Sequence, residues 1–239
     1  MRQKILRSIS VLLISLLYPI LSGVQPLQAQ NQNKQDTKEE KEAEDLTKPA
    51  PVFAGVAVSA DLVGVVMKLM DNDYAQMEVA ARLNFKERFF PIFELGYGES
   101  DFTSDETGNV YKAKAPYFRI GLDYNFKKNW RSGSRLYGGL RYAFTSFNYD
   151  LAVPGFNDPV WNRPVEFNYK DLKANYHWAE AVFGIETRIW SIFRLGWDVR
   201  YKLRFAHSES SFGSPWYVPG FGKNSSSCLG GTFKVIFDI

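Results

Sequence analysis

Cysteine and histidine are scarce in this sequence. Cys228 is the only cysteine, so an intramolecular disulfide framework is excluded. The only histidines, His177 and His207, do not have a metal-ligand spacing such as His-x-x-x-His. The sequence therefore predicts no metal site and no cofactor, and the folded chain must be held together by other means.

The first thirty residues have the parts of an export signal. A basic start is followed by an apolar run over residues 11–18 and by a plausible cleavage site between Ala29 and Gln30. The run is too short to span a bilayer, and Pro19 ends it early, which argues against a membrane anchor. We predict a signal peptide over residues 1–29.

The positive charge of the chain belongs to this leader. Without Arg2, Lys4 and Arg7 the formal net charge falls from +3 to 0, which argues against a nucleic-acid partner. Residues 30–51 are polar and charged, with almost no apolar side chain, so they cannot bury a core. We predict a disordered periplasmic arm there. A short acidic helix that docks on a partner is the alternative.

After the arm, apolar and polar residues alternate with the period of two that strands show. The clearest run covers residues 74–85, where Val79 and Leu83 alternate with Glu78 and similar polar residues. The first run is the least regular, and we expect a bulge after Gly64. Eight strands are predicted, near residues 52–67, 74–85, 89–99, 116–126, 135–145, 178–189, 194–205 and 230–239.

The connections between these runs alternate between short and long. The first, near residues 70–73, is of moderate length. Short ones then fall at residues 86–88, 127–134 and 190–192, and long ones at 100–113, 150–174 and 208–223. An up-and-down outer-membrane barrel has short periplasmic turns, long outer loops and both termini in the periplasm. We therefore predict an all-β fold over residues 52–239, an eight-stranded antiparallel up-and-down transmembrane β-barrel in the outer membrane, with the arm and the C-terminus periplasmic.

Side-chain volume indicates which face of each strand meets lipid. The apolar face carries many phenylalanines, among them Phe118, Phe183 and Phe237, which would crowd the narrow interior of an eight-stranded barrel. The opposite face carries glycines such as Gly121 and Gly184. We predict apolar side chains outside and charges inside. A secreted, soluble lipocalin-like barrel with an apolar interior has the same period and is the alternative.

Charged residues of both signs fall on the predicted inner face. Because an unpaired charge in so narrow an interior would be costly to desolvate, we predict a network of salt bridges and hydrogen bonds that closes the pore. The alternative is a hydrated narrow channel for very small solutes. The predicted lumen residues are Glu78, Arg82, Glu94, Arg119, Asp123, Arg141, Glu180, Glu186, Asp198, Arg200, Arg204 and Lys234.

The pattern of residues 52–239 resembles that of the small eight-stranded outer-membrane barrels, such as OmpX and the transmembrane domain of OmpA. The cleavage site after Ala29 and the aromatic-rich strands also look like an outer-membrane barrel of unknown function from the Bacteroidota. The resemblance implies a Gram-negative outer membrane, contact with its lipid and lipopolysaccharide, and insertion by the barrel assembly machinery. That machinery usually reads a terminal aromatic residue, whereas Phe237 here stands two residues before Ile239.

His207 and Glu209 are the weak candidates for catalysis. Some small outer-membrane barrels are lipid A deacylases with a Ser-His-Glu constellation on the outer wall, and the period of two places His207 and Glu209 on one outward face. Ser208 and Ser210 would point the other way, so the simpler interpretation is a polar loop without a catalytic role. We expect a non-enzymatic barrel, with a lipid A-modifying enzyme as an alternative.

The long connections carry Val-Pro-Gly-Phe twice, and Pro-Gly favours a type II turn that would fix nearby aromatic side chains. These loop binding candidates are Phe156, Trp161, Trp216, Tyr217 and Phe221. Loop packing that caps the barrel, or recognition of an extracellular ligand, would explain them. Acidic groups at Asp71, Asn72 and Asp73 and at Asp101, Asp105 and Glu106 are interpreted as turn chemistry rather than a cation site. The leading function is a structural or loop-mediated binding role at the cell surface.

Overall fold

Antiparallel strands make up most of the residues that the computed structural model describes, which are 51–64, 73–127, 133–157, 160 and 163–239. The strands are β1 (Phe53–Asp61), β2 (Tyr74–Phe85), β3 (Phe89–Thr103), β4 (Val110–Asn125), β5 (Ser134–Asn157), β6 (Pro164–Trp190), β7 (Phe193–Ser208), β8 (Tyr217–Val218), β9 (Gly222–Lys223) and β10 (Ser227–Asp238). The predicted signal peptide and nearly all of the predicted arm lie outside the described residues. Within the described ranges, no helix has the length and apolar character needed to cross a membrane.

Eight of these strands close into one barrel in the order β1-β10-β7-β6-β5-β4-β3-β2. Every neighbouring pair is antiparallel, and β10 pairs with β7 on one side and with β1 on the other. β8 and β9 form a separate hairpin in the connection between β7 and β10. The predicted eight-stranded antiparallel up-and-down barrel is confirmed.

The two faces of the barrel wall differ in chemistry. Outward side chains along the middle of the strands are apolar and exposed, for example Phe93 at 49%, Ile120 at 60% and Leu140 at 71%. Inward side chains at the same level include the buried Glu94 and Arg200. An apolar band around a polar interior is the architecture of a transmembrane β-barrel, as predicted, and a soluble barrel with an apolar interior would have the reverse arrangement.

Short connections join β2 to β3 and β6 to β7, as predicted. In the first, Lys86 and Glu87 have φ values of 54° and 52°, the left-handed conformation that tight hairpin turns require. Beside the second, Trp190 is 80% exposed, at a position where membrane barrels place interfacial aromatic residues. These turns define the short-connection end of the barrel.

β1 is shorter than predicted and has a register shift near its start. It ends at Asp61, whose carboxylate accepts a hydrogen bond from the backbone N–H of Val63 at 3.0 Å. The register shift lies between Phe53 and Gly55, whereas the bulge predicted after Gly64 falls at residues outside the described ranges. Gly55 has a φ of 120°, a conformation that favours glycine, which explains the bulge there.

The strands continue well into two of the predicted long loops, so those loop boundaries are wrong. β3 runs to Thr103 and β4 starts at Val110, while β5 runs to Asn157 and β6 starts at Pro164. In these extensions the chemistry of the two faces is exchanged. The outward side chains are charged and the inward side chains are aromatic. The buried inner residues are Tyr111, Phe147, Tyr149 and Tyr176, and the exposed outer ones include Lys112, Lys114 and Lys173. A pattern that expects apolar side chains outside does not detect such strands.

Candidate functional site

Charged side chains fill the interior of the barrel. The residues predicted to line the lumen are all buried except Arg204, which lies at the rim, 4.0 Å from Glu209. The others form two layers, one around Glu94 on β3 and one nearer the short-connection end. Both layers lie inside the barrel.

Glu94 is the centre of the first layer, which we call the central network. Its carboxylate contacts four cations: Arg200 Nη1 at 2.8 Å, Arg119 Nη1 at 3.3 Å, Arg141 Nε at 3.4 Å and Lys234 Nζ at 3.6 Å. These cations come from β7, β4, β5 and β10. One carboxylate on β3 therefore connects strands from around the whole barrel.

Arg200 and Arg119 tie three further carboxylates into the central network. Arg200 lies 2.9 Å from Asp198 Oδ1, 3.0 Å from Glu78 Oε1 and 3.4 Å from Glu180 Oε2. Arg119 forms ion pairs with Glu78 and, through Nε at 2.8 Å, with Glu180. Each guanidinium thus bridges several acidic groups, as its planar set of donors allows.

Arg141 and Lys234 also have carboxylate partners besides Glu94. Arg141 Nη1 and Nη2 donate to the two oxygens of Asp123 at 2.6 and 2.9 Å, a bidentate pair. Lys234 Nζ lies 2.9 Å from Asp198 Oδ2. Carboxylates and cations are equal in number in this network, which comprises Glu78, Glu94, Asp123, Glu180 and Asp198 with Arg119, Arg141, Arg200, Lys202 and Lys234.

A second layer of ion pairs lies toward the short-connection end. Its pairs are Arg82 with Glu186, Arg135 with Glu87, and Arg194 with Asp238. The guanidinium carbons of Arg82 and Arg135 lie 5.1 and 5.0 Å from the centre of the Phe90 ring, so both cations also contact an aromatic face. Only Arg82 and Glu186 of this layer were predicted. Arg135, Arg194 and Asp238 follow the same alternation as the predicted lumen residues but are not in the predicted set, and Glu87 stands in a turn.

Aromatic side chains that carry a polar group also enter the lumen. Tyr117 Oη donates to Glu78 at 3.1 Å, Tyr137 Oη to Asp198 at 3.2 Å, and Trp178 Nε1 to Glu180 at 2.6 Å. The glycines make room for them, because a Cβ at Gly96 or Gly184 would collide with the ring of Tyr117 or Tyr137. Their polar tips complete the hydrogen bonding of the buried carboxylates, which phenylalanine could not do.

The β8–β9 hairpin folds into the mouth of the barrel at the long-connection end. Its turn is the second Val-Pro-Gly-Phe copy, in which the N–H of Phe221 donates to the carbonyl of Val218 at 3.0 Å. Gly220 has a φ of 80°, as the third residue of a type II turn requires, so the predicted turn is confirmed at this copy. Val218 and Phe221 are almost fully buried. The hairpin is therefore a cap and not a free loop.

Two cations of the central network hold this hairpin. Lys202 Nζ donates to the carbonyls of Gly220 at 2.7 Å and Phe221 at 3.1 Å, and Arg119 Nη2 donates to Gly220 at 2.8 Å. The Phe221 ring packs edge-on against Trp178 with centroids 5.6 Å apart. The cap and the ionic lumen are thus one continuous structure, and Lys202, absent from the predicted set, joins them.

The aromatic loop candidates that the structure describes pack on the protein itself. Trp216 stacks on Phe102 with ring centroids 4.0 Å apart. Tyr217 stacks on Tyr74 at 5.7 Å, and burial raises the pKa of the Tyr217 hydroxyl, which keeps it neutral. Trp161 lies outside the described residues.

The first Val-Pro-Gly-Phe copy does not form the predicted loop turn. It lies within β5, at a register shift between Val153 and Phe156. The structure therefore corrects the prediction that both copies are turns in loops, and the side chain of Phe156 is not described. A bulge absorbs Pro154 here because proline cannot donate to a strand ladder.

His207 and Glu209 lie together but do not share the predicted outward face. His207 Nε2 is 3.5 Å from Glu209 Oε1, and His207 is exposed, whereas Glu209 accepts hydrogen bonds from the Tyr176 hydroxyl and the Asn224 amide at the mouth. Burial acts to raise the pKa of Glu209, but hydrogen bonds from Ser214, Tyr176 and Asn224 outweigh it and lower that pKa. Among the described residues no serine hydroxyl is hydrogen-bonded to His207, so these side chains do not form a Ser-His-Glu triad.

The acidic turn residues show no ligand arrangement in the part of the chain that the structure describes. Asp101 forms an exposed ion pair with Lys112 at 2.9 Å. No group of three or more His, Cys, Asp or Glu side chains that could hold a metal ion occurs within the described ranges, which exclude Asp71 and Asn72.

The solved structures that are similar to this chain include three small barrels. Neisserial surface protein A shares 11% identity at a TM-score of 0.42, with 80% of this chain and 100% of that chain covered. Ail of Yersinia pestis, in complex with the heparin analogue sucrose octasulfate, shares 9% at 0.38, with coverage of 77% and 96%. CarO2 of Acinetobacter baumannii shares 11% at 0.37, with coverage of 79% and 99%. The fold assignment rests on the strand pairing of this chain and not on these likenesses.

Sequence comparison identifies the family of the chain. No curated protein matches the chain. The profile described as Domain of unknown function (DUF6048) matches residues 5–239. Because this match covers nearly the whole chain, the protein belongs to the DUF6048 family.

Proposed function

We propose that the protein is a closed, non-enzymatic barrel of the outer membrane that presents a rigid wall and a capped mouth at the cell surface. One observation carries this proposal: the central network and the hairpin fill the lumen from Glu94 to Phe221 with buried, mutually paired groups. A solute crossing the barrel would have to separate these charges from their partners. Each separated charge would incur a desolvation cost of several kcal/mol.

The apolar outer band supports residence in a membrane. Because long connections gather at one end and short ones at the other, we place the long-connection end outside the cell and both termini in the periplasm. Lipid and lipopolysaccharide are then the surroundings of the wall, and the barrel assembly machinery is the partner during insertion. An extracellular ligand would contact the groups left exposed around the mouth, such as Phe212, rather than the buried hairpin.

Orientation is tested by labelling single cysteines on intact cells in a Cys228→Ser background. Thr107 is exposed between β3 and β4, and Ser191 is exposed in the short turn between β6 and β7. We expect Thr107→Cys to react with an impermeant maleimide and Ser191→Cys to react only after permeabilisation. Labelling of Ser191→Cys alone on intact cells would show that the barrel is inverted.

Closure is tested by swelling of liposomes that contain the purified protein. We expect no uptake of glycine or arabinose above that of protein-free liposomes, because the paired charges leave no water-filled path. Liposomes containing a general porin serve as the positive control. Swelling that scales with the amount of this protein would replace the closed barrel with the narrow channel.

A further inference from the structure

The outer wall formed by β4, β5 and β6 carries a patch of cross-strand rows, which are apolar in the middle of the wall and polar toward the long-connection end. Two apolar rows come first, and the register aligns their residues across the three strands: Ile120, Tyr142 and Ala179, followed by Phe118, Phe144 and His177. Toward the long-connection end, Ser146 pairs with Asn175, and Asn148 pairs with Lys173. These last four residues are exposed. We call residues 118–120, 142–148 and 173–179 the wall patch.

A groove of about 400 Å³ lies in the apolar part of the wall patch. Its lining is Phe93, Phe118, Arg119, Ile120, Tyr142, Phe144 and His177. The groove opens on the apolar outer band, where a hydrocarbon chain is the surrounding solvent. We therefore expect an acyl chain to occupy this groove, because it is apolar like the groove and is present in the surrounding lipid.

A polar pair stands within this apolar groove. His177 Nδ1 and Tyr142 Oη are 2.8 Å apart. When the tyrosine hydroxyl donates to Nδ1, Nε2 carries the proton and becomes a donor. Nε2 has no hydrogen-bond partner in the described part of the chain, and an imidazole in a lipid-facing wall indicates a functional contact. A lipid carbonyl, hydroxyl or phosphate oxygen would accept from it.

Lys173 supplies the charge above this pair. It lies four residues from His177 on β6, about 13 Å along the strand, and a lysine side chain can bend back over part of that distance. Its partner across β5 is Asn148, and it forms no ion pair within the described ranges. Other cations nearby face acids, since Lys112 pairs with Asp101 and Lys114 lies opposite Glu99. Lys173 is thus the cation available to an anionic headgroup.

We propose that the wall patch binds one acylated lipid of the outer leaflet that has an anionic phosphate headgroup. Its acyl chain lies in the groove, an oxygen at the headgroup boundary accepts from His177 Nε2, and its phosphate contacts Lys173. The leaflet follows from the orientation under Proposed function, but the site itself depends neither on the closed lumen nor on the hairpin.

The proposal is tested by native mass spectrometry of full-length protein released from micelles. These micelles contain phosphatidylglycerol and phosphatidylcholine in equal amounts and with the same acyl chains. We expect the wild type to retain phosphatidylglycerol over phosphatidylcholine by about fivefold, the factor that one lysine near an anionic lipid supplies. Lys173→Gln should remove this preference. Lys170→Gln, which removes an exposed lysine from the same strand, should leave it unchanged.

A second variant tests the groove apart from the charge. Ile120→Trp fills the groove and should reduce retention of both lipids, while the protein keeps the altered gel migration of a folded barrel before boiling. Equal retention of the two lipids by the wild type, a preference that survives Lys173→Gln, or unchanged retention in Ile120→Trp would overturn the proposal. These results leave liposome swelling and cysteine labelling unaffected, so failure here is distinct from failure of the closed barrel.

Discussion

Replacing Arg200 with methionine is expected to lower the free energy of unfolding by about 3 to 5 kcal/mol. Arg200 is almost fully buried and contacts Glu78, Glu94, Glu180 and Asp198 within 3.4 Å. Methionine keeps much of the side-chain volume but removes every donor, so the acidic groups keep their burial and lose a shared cation. Equilibrium unfolding in urea, with the barrel reconstituted in lipid vesicles, measures the change.

A matched control separates burial from charge. Lys112 pairs with Asp101 at 2.9 Å, but both side chains are more than half exposed. Lys112→Met should change the free energy of unfolding by no more than about 1 kcal/mol, because exposed ion pairs are screened by water. Similar small changes in both variants would mean that lumen water solvates Arg200 and that the network is not a packed core.

Replacing Phe221 with alanine is expected to lower the free energy of unfolding by about 3 kcal/mol and to change the fluorescence of Trp178. Phe221 is 1% exposed, packs edge-on against Trp178 and lies next to the carbonyls that Lys202 binds. Its removal leaves a cavity between the hairpin and the central network. The change is measured by urea unfolding together with the tryptophan emission spectrum.

Phe212, in the same connection, provides the control for this variant. It is 65% exposed and stacks on Tyr169 with ring centroids 5.4 Å apart. Phe212→Ala should cost less than about 1 kcal/mol and leave the emission of Trp178 unchanged. If the two variants destabilised the barrel equally, the hairpin would be a surface loop and not a cap.

The fold follows from the sequence because two periodic signals agree. Alternation within strands such as β2 places Val79 and Leu83 on one face and Glu78 and Arg82 on the other. A barrel in a membrane suits both faces, because the apolar face contacts lipid and the charged face lines the interior. The alternation of short and long connections then fixes the order of strands. These signals depend only on the local period and the chain length of each connection, so a single sequence suffices.

The strand extensions beyond the apolar band could not be predicted in the same way. There the outer wall meets water, so Lys112 and Lys173 turn outward while Tyr111 and Tyr176 turn inward. The period of two persists, but its phase is inverted relative to that of the band. A prediction that expects apolar side chains outside along the whole strand therefore ends the strand too early, at the point where the outer wall passes from lipid to water.

The side-chain contacts inside the lumen depend on distances between strands, which the alternation of residue types along one strand does not specify. Alternation placed Arg141 and Asp123 on the inner face but could not show that they form a bidentate pair. Alternation also could not predict that Lys202 donates to the carbonyl of Gly220. That contact joins β7 to the connection between β7 and β10, and the path of this connection into the barrel depends on packing. The signal peptide over residues 1–29 and a source in the Bacteroidota stay predictions.

Single-channel recording in planar bilayers tests the closed lumen most directly. Purified wild-type protein and a variant with residues 217–223 replaced by a glycine–serine linker are inserted under the same conditions. We predict no steady conductance from either protein, because the central network lies beneath the hairpin and closes the barrel without it. Steady conductance steps from the wild-type barrel would contradict this account and identify the protein as a narrow channel.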